Sequence, residues 1–157
     1  MSEGRWPLPG WAEIEPFPFA EASRAFRGER QQKFVSLRYF RRADGVLVAL
    51  AAFGPQSEGA PGRAHGGVVL TALDEALGAA AWIAGHRVLT ARLATEFRKG
   101  VPIGAELLVE TSLLGKRHRL VQVEGTLLGP DGEVYARAEG RFIELGAAAQ
   151  KSIFGPL

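Results

Sequence analysis

The sequence predicts one α+β domain in which a long central helix is wrapped by an antiparallel sheet of about six strands. The chain has 157 residues, enough for a single domain with a substantial core, and 46% of them are hydrophobic. Two strand-like segments precede one long apolar segment, and four more follow it with short breaks, which indicates antiparallel neighbours. A single long helix needs a covering layer, so it is expected to pack on the concave face of that sheet.

The two ends of the chain are predicted to lie outside this domain. Residues 1–30 contain the proline-rich runs WPLPGW and EPFPF, which disfavour helix and indicate an irregular arm packed on the domain. A short helix is compatible with AEASRAFRGERQQ, residues 20–32. The domain itself is expected over residues 31–146, and residues 147–157 form a tail without a clear pattern.

The six strands are predicted from branched and aromatic residues between turn signals. KFVSLRYF and VLVALAAF flank the turn signal ADG and indicate a hairpin. After the helix, VLTARLATEF alternates, with Leu93 and Thr95 on one face and Thr90 and Arg92 on the other. ELLVETSLL, RLVQVEGTLL and EVYARAEGRFI follow, with turns expected at GKRH and GPDG. Short turns predict that these last four strands form a meander.

The central helix is predicted over about residues 67–84. It is apolar around almost its whole circumference, which is typical of a buried helix. One strip differs, because Gly67, Thr71, Asp74 and Gly78 recur at helical spacing and are small or polar. A carboxylate in such a helix is costly without partners, so Asp74 is either functional or simply solvated or capped. Glu75 lies ~100° further round and is expected to be a supporting or surface carboxylate.

The start of the helix offers a possible anion or carbonyl site. The first N–H groups of a helix lack internal partners, and the helix dipole is positive there. The run HGG places Gly66 and Gly67 at this end, where a substrate oxygen can approach the bare backbone. The alternative is a glycine-rich turn that only leads the chain into the helix.

The spacing between the helix start and Asp74 predicts a symmetric dimer. Gly67 and Asp74 are seven residues apart, or ~10 Å along the axis. A general base must lie within ~3 Å of the proton it takes, so one small reacting group cannot reach both positions on one helix. If both act in one site, each site combines Gly67 from one subunit with Asp74 from the other.

Composition excludes several other classes of function. The chain has no cysteine, which excludes disulfides and a cysteine nucleophile, and its three histidines show no metal-ligand spacing. A formal net charge of +2 without a basic stripe does not favour nucleic acid binding. The N-terminal residues lack a signal pattern, and no stretch has the apolar length of a membrane span, so a cytoplasmic protein is expected.

The segment EGAPGRAHGGVVLTALDEALG, followed by VLTARLATEFRKGVPIG, resembles the hotdog-fold acyl-CoA thioesterases of the PaaI-like, phenylacetate-pathway type. The resemblance depends on HGG, on an acid nine residues after His65, and on Thr90 sixteen residues after Asp74. It implies a hotdog fold, a homodimer or a dimer of dimers, and hydrolysis of an acyl-CoA to a free acid and CoA. No metal or bound cofactor is implied, since CoA enters as part of the substrate.

The resemblance also implies roles for individual residues. Asp74 would act as general base or nucleophile, Gly67 would donate its N–H to the thioester carbonyl, and Thr90 would hold the water or the carboxylate. His65 would shape the helix start beside Gly66. Cationic and apolar candidates complete the site: Arg98, Lys99, Lys116 and Arg117 for the phosphates of CoA, and Leu70, Leu77 and Trp82 for the acyl pocket.

Two departures and three alternatives accompany this resemblance. The run before HGG holds no Asn, which many relatives carry there, and Gly100 stands where a proline is common. One alternative is a non-catalytic acyl-CoA binding or regulatory protein, and another is a hydratase or dehydratase on the same fold. In the third, the small polar strip of the helix serves only dimer packing, with Asp74 satisfied across the two-fold axis.

Overall fold

The computed structural model describes residues 5–18, 26 and 33–156 of the chain. The prediction of an α+β fold with one long central helix is confirmed, and the sheet has seven strands, one more than expected. The elements in chain order are β1 (Ala12–Ile14), β2 (Val35–Arg41), β3 (Leu47–Phe53), α1 (Gly66–Ile83), β4 (Val88–Phe97), β5 (Glu106–Arg117), β6 (Leu120–Leu128), β7 (Val134–Glu144) and α2 (Ala147–Phe154).

The strands form one antiparallel sheet in the order β1-β2-β3-β5-β6-β7-β4. The prediction that the last four strands form a meander is therefore wrong for β4. This strand lies at the far edge beside β7, whereas β5 crosses back to pair with β3. The link is residues 98–105, and it passes the start of α1, where the N–H of Ala64 donates to the carbonyl of Val101 at 2.8 Å.

Helix α1 is apolar because the sheet curls around it. Nine of its eighteen residues are buried. The helix approaches β6 and β7 closely at two glycines. A Cβ at Gly125 would lie 2.5 Å from Leu77 Cδ1, and one at Gly140 would lie 3.1 Å from Leu77 Cδ2. A side chain at Gly125 would displace the side chain of Leu77 on the helix, whereas one at Gly140 would first meet the ring of Phe142 on the same strand.

The length of α1 corrects one expectation. With 18 residues, the helix is long and apolar enough to meet the length and composition of a membrane span, contrary to the prediction that no stretch does. Half of it is buried inside the fold, and its residues form the main core cluster together with β2, β3, β5, β6 and β7. This packing accounts for its apolar composition.

Two further boundaries differ from the prediction. The expected turn at GKRH is strand as far as Arg117, and the chain reverses at His118, whose φ is 56°, and Arg119. The C-terminal tail, for which the sequence showed no clear pattern, forms helix α2. In the N-terminal arm, Ala12 pairs with Arg41 across β1 and β2. The short helix predicted over 20–32 lies outside the described residues, apart from position 26.

Candidate active site

The side chains of Asp74 and Thr90 are in contact, as the spacing of the motif implied. The hydroxyl of Thr90, at the start of β4, donates to Asp74 Oδ1 at 2.8 Å. Asp74 is half-buried at the middle of α1, and this hydrogen bond holds its carboxylate against the edge strand of the sheet. Burial raises the pKa of Asp74, and the bond from Thr90 opposes that rise by stabilising the charged form.

A bulge in β4 makes this contact possible. The register of β4 against β7 shifts between Thr90 and Arg92. Strict alternation placed Thr90 and Leu93 on opposite faces, yet Thr90 contacts α1 and Leu93 also packs against the core. One extra residue in the strand reverses the alternation locally, so both side chains point toward the helix.

Glu75 is the second carboxylate of the site. It was expected to be a supporting or a surface carboxylate. It is half-buried and lines the same cavity as Asp74, so it is not a surface group. Burial, followed by the negative charge of Asp74, raises the pKa of Glu75 from 4.5 to about 7. At neutral pH, a large fraction of the Glu75 side chain is therefore protonated and able to donate a hydrogen bond.

The two carboxylates face a cavity of ≈ 230 Å³ beside α1. Larger cavities of ≈ 450 and ≈ 540 Å³ lie elsewhere, but neither is lined by Asp74 or Thr90. Trp82, predicted to line an acyl pocket, does line this cavity, whereas Leu77 is fully buried in the core and Leu70 is not part of the lining. The complete described lining is Phe17, Asp74, Glu75, Gly78, Trp82, Val88, Leu89, Thr90, Phe142 and Phe154.

His65 caps the start of α1 and accepts a hydrogen bond from the N–H of Gly67, the group that was predicted to bind the substrate. Its Nδ1 accepts a hydrogen bond from the N–H of Gly67 at 2.9 Å, so Gly67 donates inside the chain. The neighbouring N–H of Gly66 has no acceptor among the described residues. Of the two glycines predicted to offer a bare N–H here, Gly66 is therefore the one without an acceptor among the described residues, whereas the N–H of Gly67 is used by His65.

Of the four predicted cationic residues, two lie at this helix end. Arg98 and Lys99 line a cavity of ≈ 320 Å³ together with Gly66 and Phe97. Arg98 Nε donates to Glu96 Oε1 at 2.9 Å, and Lys99 Nζ lies 5.0 Å from the centre of the Tyr135 ring. Both side chains remain exposed and can reach an anion in this cavity.

Lys116 and Arg117 are placed differently. They lie on β5 rather than in a turn, and the ammonium group of Lys116 pairs with the carboxylate of Glu144. The other oxygen of Glu144 is 3.6 Å from Nδ1 of His86, just beyond the C-terminal end of α1. Within one chain, these two cations are therefore at the opposite end of the helix from Gly66.

The structure thus places the candidate residues in two groups on one chain, which we call half-sites. Asp74, Thr90 and Glu75 face the aromatic cavity, whereas Gly66, Arg98 and Lys99 share the cavity at the helix start. Eight residues of helix, or about 12 Å, separate Gly66 from Asp74. Sequence analysis missed the aromatic rings of Phe17, Phe142 and Phe154, since nothing local indicates which distant element they contact. Among the described residues, no group of His, Asp or Glu side chains could hold a metal ion.

A long helix wrapped by an antiparallel sheet, with an acid at mid-helix and HGG at its start, is the arrangement of the hotdog-fold thioesterases. Comparisons with known proteins confirm this resemblance: residues 61–136 match the thioesterase superfamily. A solved thioesterase superfamily protein superposes with a TM-score of 0.65 and 28% identity, over 69% of this chain and 54% of that one. The fold is shared by the PaaI protein of the E. coli phenylacetic acid degradation operon, with a TM-score of 0.60 and 14% identity, over 63% and 76% of the two chains.

Curated relatives are named for a specific activity. Mouse acyl-coenzyme A thioesterase THEM5 is 29% identical over 108 residues, which are 68% of this chain and 44% of that protein. This chain therefore spans less than half the length of that relative.

Thr90→Val tests whether the hydrogen bond from Thr90 to Asp74 matters for activity. Losing the hydroxyl removes the one interaction that lowers the pKa of Asp74, so this pKa is expected to rise further. A base must be ionised to act, and the acid limb of the pH profile for kcat/KM should therefore move to higher pH. We expect kcat to fall by about tenfold. Thr90→Ser keeps the hydroxyl donor and should have the same pH profile as the native chain. Identical pH profiles for Thr90→Val and the native chain would show that the Thr90 hydroxyl does not influence the ionisation of Asp74.

Proposed function

We propose that this protein hydrolyses acyl-CoA thioesters to a free acid and CoA. The observation that carries the proposal is the half-buried carboxylate of Asp74, fixed by the hydroxyl of Thr90 at 2.8 Å and facing an apolar cavity. A desolvated carboxylate has a raised pKa and is a stronger base than one in water, which suits it to take a proton from a water molecule.

The chemistry needs an electrophile activated at the same place. In the proposed reaction, Asp74 either takes a proton from a water that attacks the thioester carbon, or attacks that carbon itself. The carbonyl oxygen becomes an oxyanion, and the bare N–H of Gly66 at the positive end of α1 is suited to stabilise it. The bond to sulfur then breaks, and CoA leaves as its thiolate. When water attacks, this step forms the free acid, and the proton held by Asp74 passes to the thiolate. When Asp74 attacks, the acyl group remains on its carboxylate as an anhydride, which a water molecule then hydrolyses to the free acid.

Arg98 and Lys99 support CoA as the leaving group. They line the same cavity as Gly66 and are exposed, so they are suited to pair with a phosphate of CoA, which the pantetheine arm separates from the thioester. The name of the mouse relative supports an acyl-CoA substrate as well.

We also propose that the working unit is a homodimer with composite sites. About 12 Å of helix separates Gly66 from Asp74, too far for one thioester carbon and its carbonyl oxygen to contact both. Among the described strands, β4 pairs only with β7, and it leaves large apolar side chains exposed next to both half-sites: Leu89 at 44% and Phe97 at 53%. A second copy along this edge would cover them and bring Gly66 of one subunit to Asp74 of the other.

A complementation experiment tests the composite site. Gly66→Pro removes only the N–H, because proline is favoured at the first helical position and His65 already has the extended backbone that proline requires of its predecessor. Gly66→Pro and Asp74→Asn should each be inactive as purified proteins. Mixing them in equal amounts with exchange of subunits should restore about one quarter of the native rate, since half the dimers regain one of two sites.

The control for this experiment is Gly66→Ala, which keeps the N–H; a Cβ there would only touch Phe97 at 3.7 Å. It should retain most of the activity. A mixture that stays inactive, despite subunit exchange verified by mass spectrometry, would mean that each site takes Gly66 and Asp74 from the same chain, and would overturn the composite site.

The activity itself is tested by thiol release from a panel of acyl-CoAs. Continuous release that exceeds one equivalent per chain supports hydrolysis. An acyl-CoA that raises the melting temperature but releases no thiol would support the alternative of a non-catalytic acyl-CoA binding protein.

A further inference from the structure

Three aromatic rings from three separate elements meet over the cavity beside Asp74. The centroid of Trp82, on α1, is 6.1 Å from that of Phe17, which follows β1, with an interplanar angle of 73°. It is 5.0 Å from the centroid of Phe154, the last residue of α2, at 86°. Both contacts are edge-to-face, the geometry that aromatic pairs favour. We call Phe17, Trp82 and Phe154 the aromatic cap.

The aromatic cap lines the apolar part of the cavity beside Asp74. The three rings, with Phe142 of β7, line the same cavity as Asp74, Glu75 and Thr90. The polar groups can therefore contact the reacting carbonyl, and the rings can contact the acyl chain or ring that is attached to that carbonyl. Among the described lining residues, the two carboxylates are the only charged groups.

The size of the cavity limits what the cap can enclose. Its volume is ≈ 230 Å³. A dry apolar cavity of about 150 Å³ holds a benzene molecule, and pockets for larger ligands start at about 300 Å³. A single ring or a short chain fits this space, whereas a long chain exceeds its volume.

Helix α2 carries the last ring of the cap, and among the described residues few contacts hold it to the domain. None of its residues is buried. Gln150 holds its first turn, because its Nε2 donates to the carbonyl of Leu145 at 2.6 Å and its Oε1 lies 3.4 Å from Nη1 of Arg87. Beyond that turn, the ring of Phe154 packs against Trp82. Weakly buried segments open at low free energy, so Phe154 is the ring whose removal should change the cavity while leaving the core intact.

We propose that the aromatic cap sets the acyl selectivity of this site, admitting compact apolar acyl groups and excluding long chains. The inference rests on the proposed function, because it assumes that the acyl group enters the cavity beside Asp74. Phe154 is its main determinant, since it lines the cavity from a helix without buried residues, and Phe17 lines it from the N-terminal segment.

The test compares Phe154→Ala with Ile153→Ala. Ile153 is the preceding residue of α2, is 51% exposed and does not line the cavity, so its variant controls for changes in the helix itself. The readout is the ratio of kcat/KM for dodecanoyl-CoA to that for butanoyl-CoA and benzoyl-CoA. Phe154→Ala should raise this ratio by about tenfold or more, the usual effect of a mismatched apolar pocket. Ile153→Ala should leave it unchanged.

Binding of non-hydrolysable thioether analogues of the same three compounds separates this inference from the proposed function. Hydrolysis by the native chain with identical ratios in both variants would overturn the cap as selectivity element and leave the hydrolase intact. Binding that depends on chain length and shifts only in Phe154→Ala, without hydrolysis, would support the cap and overturn the hydrolase. A native chain that neither binds nor hydrolyses these compounds would overturn both.

Discussion

Asp74→Asn is expected to lower kcat for acyl-CoA hydrolysis by about 10²–10⁴-fold, the usual contribution of a positioned general base. The amide has nearly the same shape as the carboxylate, and its oxygen can still accept the hydrogen bond that Thr90 donates. It cannot take a proton from water or attack a thioester. The variant therefore removes the chemistry and keeps the contact between α1 and β4.

The fold of this variant should be unaffected, because a half-buried carboxylate with a raised pKa is replaced by a neutral group. Thr71→Ala is a matched control one turn earlier on the same helix. Its hydroxyl donates to the carbonyl of Gly67 at 2.9 Å, a bond that an α-helix does not need. Rates are measured by thiol release, and size-exclusion chromatography and melting curves confirm folding. A variant that keeps more than about a tenth of the native kcat would assign the chemistry to another group.

Glu75 is the first alternative candidate for that group. It lines the same cavity and has the higher pKa of about 7, but no described side chain is placed to fix its carboxylate as Thr90 fixes that of Asp74. Catalysis requires orientation as well as basicity, so the hydrogen bond favours Asp74. Two adjacent carboxylates with different environments can therefore hold one charge and one proton near neutral pH.

Helix α1 and the position of Asp74 on it could be predicted from the sequence, because both depend on residues that are close together in the chain. Apolar residues around the whole circumference predict burial, and the predicted helix differs from α1 by one residue at each end. The strip of small and polar residues placed Asp74 on a face where β4 approaches. The spacing of Asp74 and Thr90 was informative only as part of a known motif.

The parts that could not be predicted depend on irregular or distant contacts. Strict alternation places Thr90 away from the helix, and only the bulge before Arg92 turns it inward. The residues 98–105 look like a short turn, yet they carry the chain across the sheet and bring Arg98 to the helix start. The use of the Gly67 N–H by His65 also depends on a side-chain orientation that the sequence does not specify.

Glu75→Gln is expected to stabilise the protein at alkaline pH. The pKa of Glu75 is about 7 in the folded chain, raised from 4.5. Below pH 4.5, both the folded and the unfolded chain hold the proton, and the carboxyl group causes no loss of stability. Between pH 4.5 and about 7, only the unfolded chain ionises, so the free energy of unfolding falls as pH rises. Above that range the loss is complete and amounts to about 3 kcal/mol.

Glutamine cannot ionise, so Glu75→Gln should match the native chain near pH 4.5 and exceed its stability at pH 8. For a chain of this size, we expect a rise in melting temperature of about 6–12 °C at pH 8. Glu124→Gln, at an exposed position of β6, is the matched control. Its melting temperature should equal that of the native chain at pH 4.5 and at pH 8. Because Asp74 contributes to the raised pKa, Asp74→Asn should shift the falling part of the native stability curve to lower pH. Equal melting temperatures for Glu75→Gln and the native chain at pH 8 would mean that Glu75 ionises as freely inside the fold as outside it.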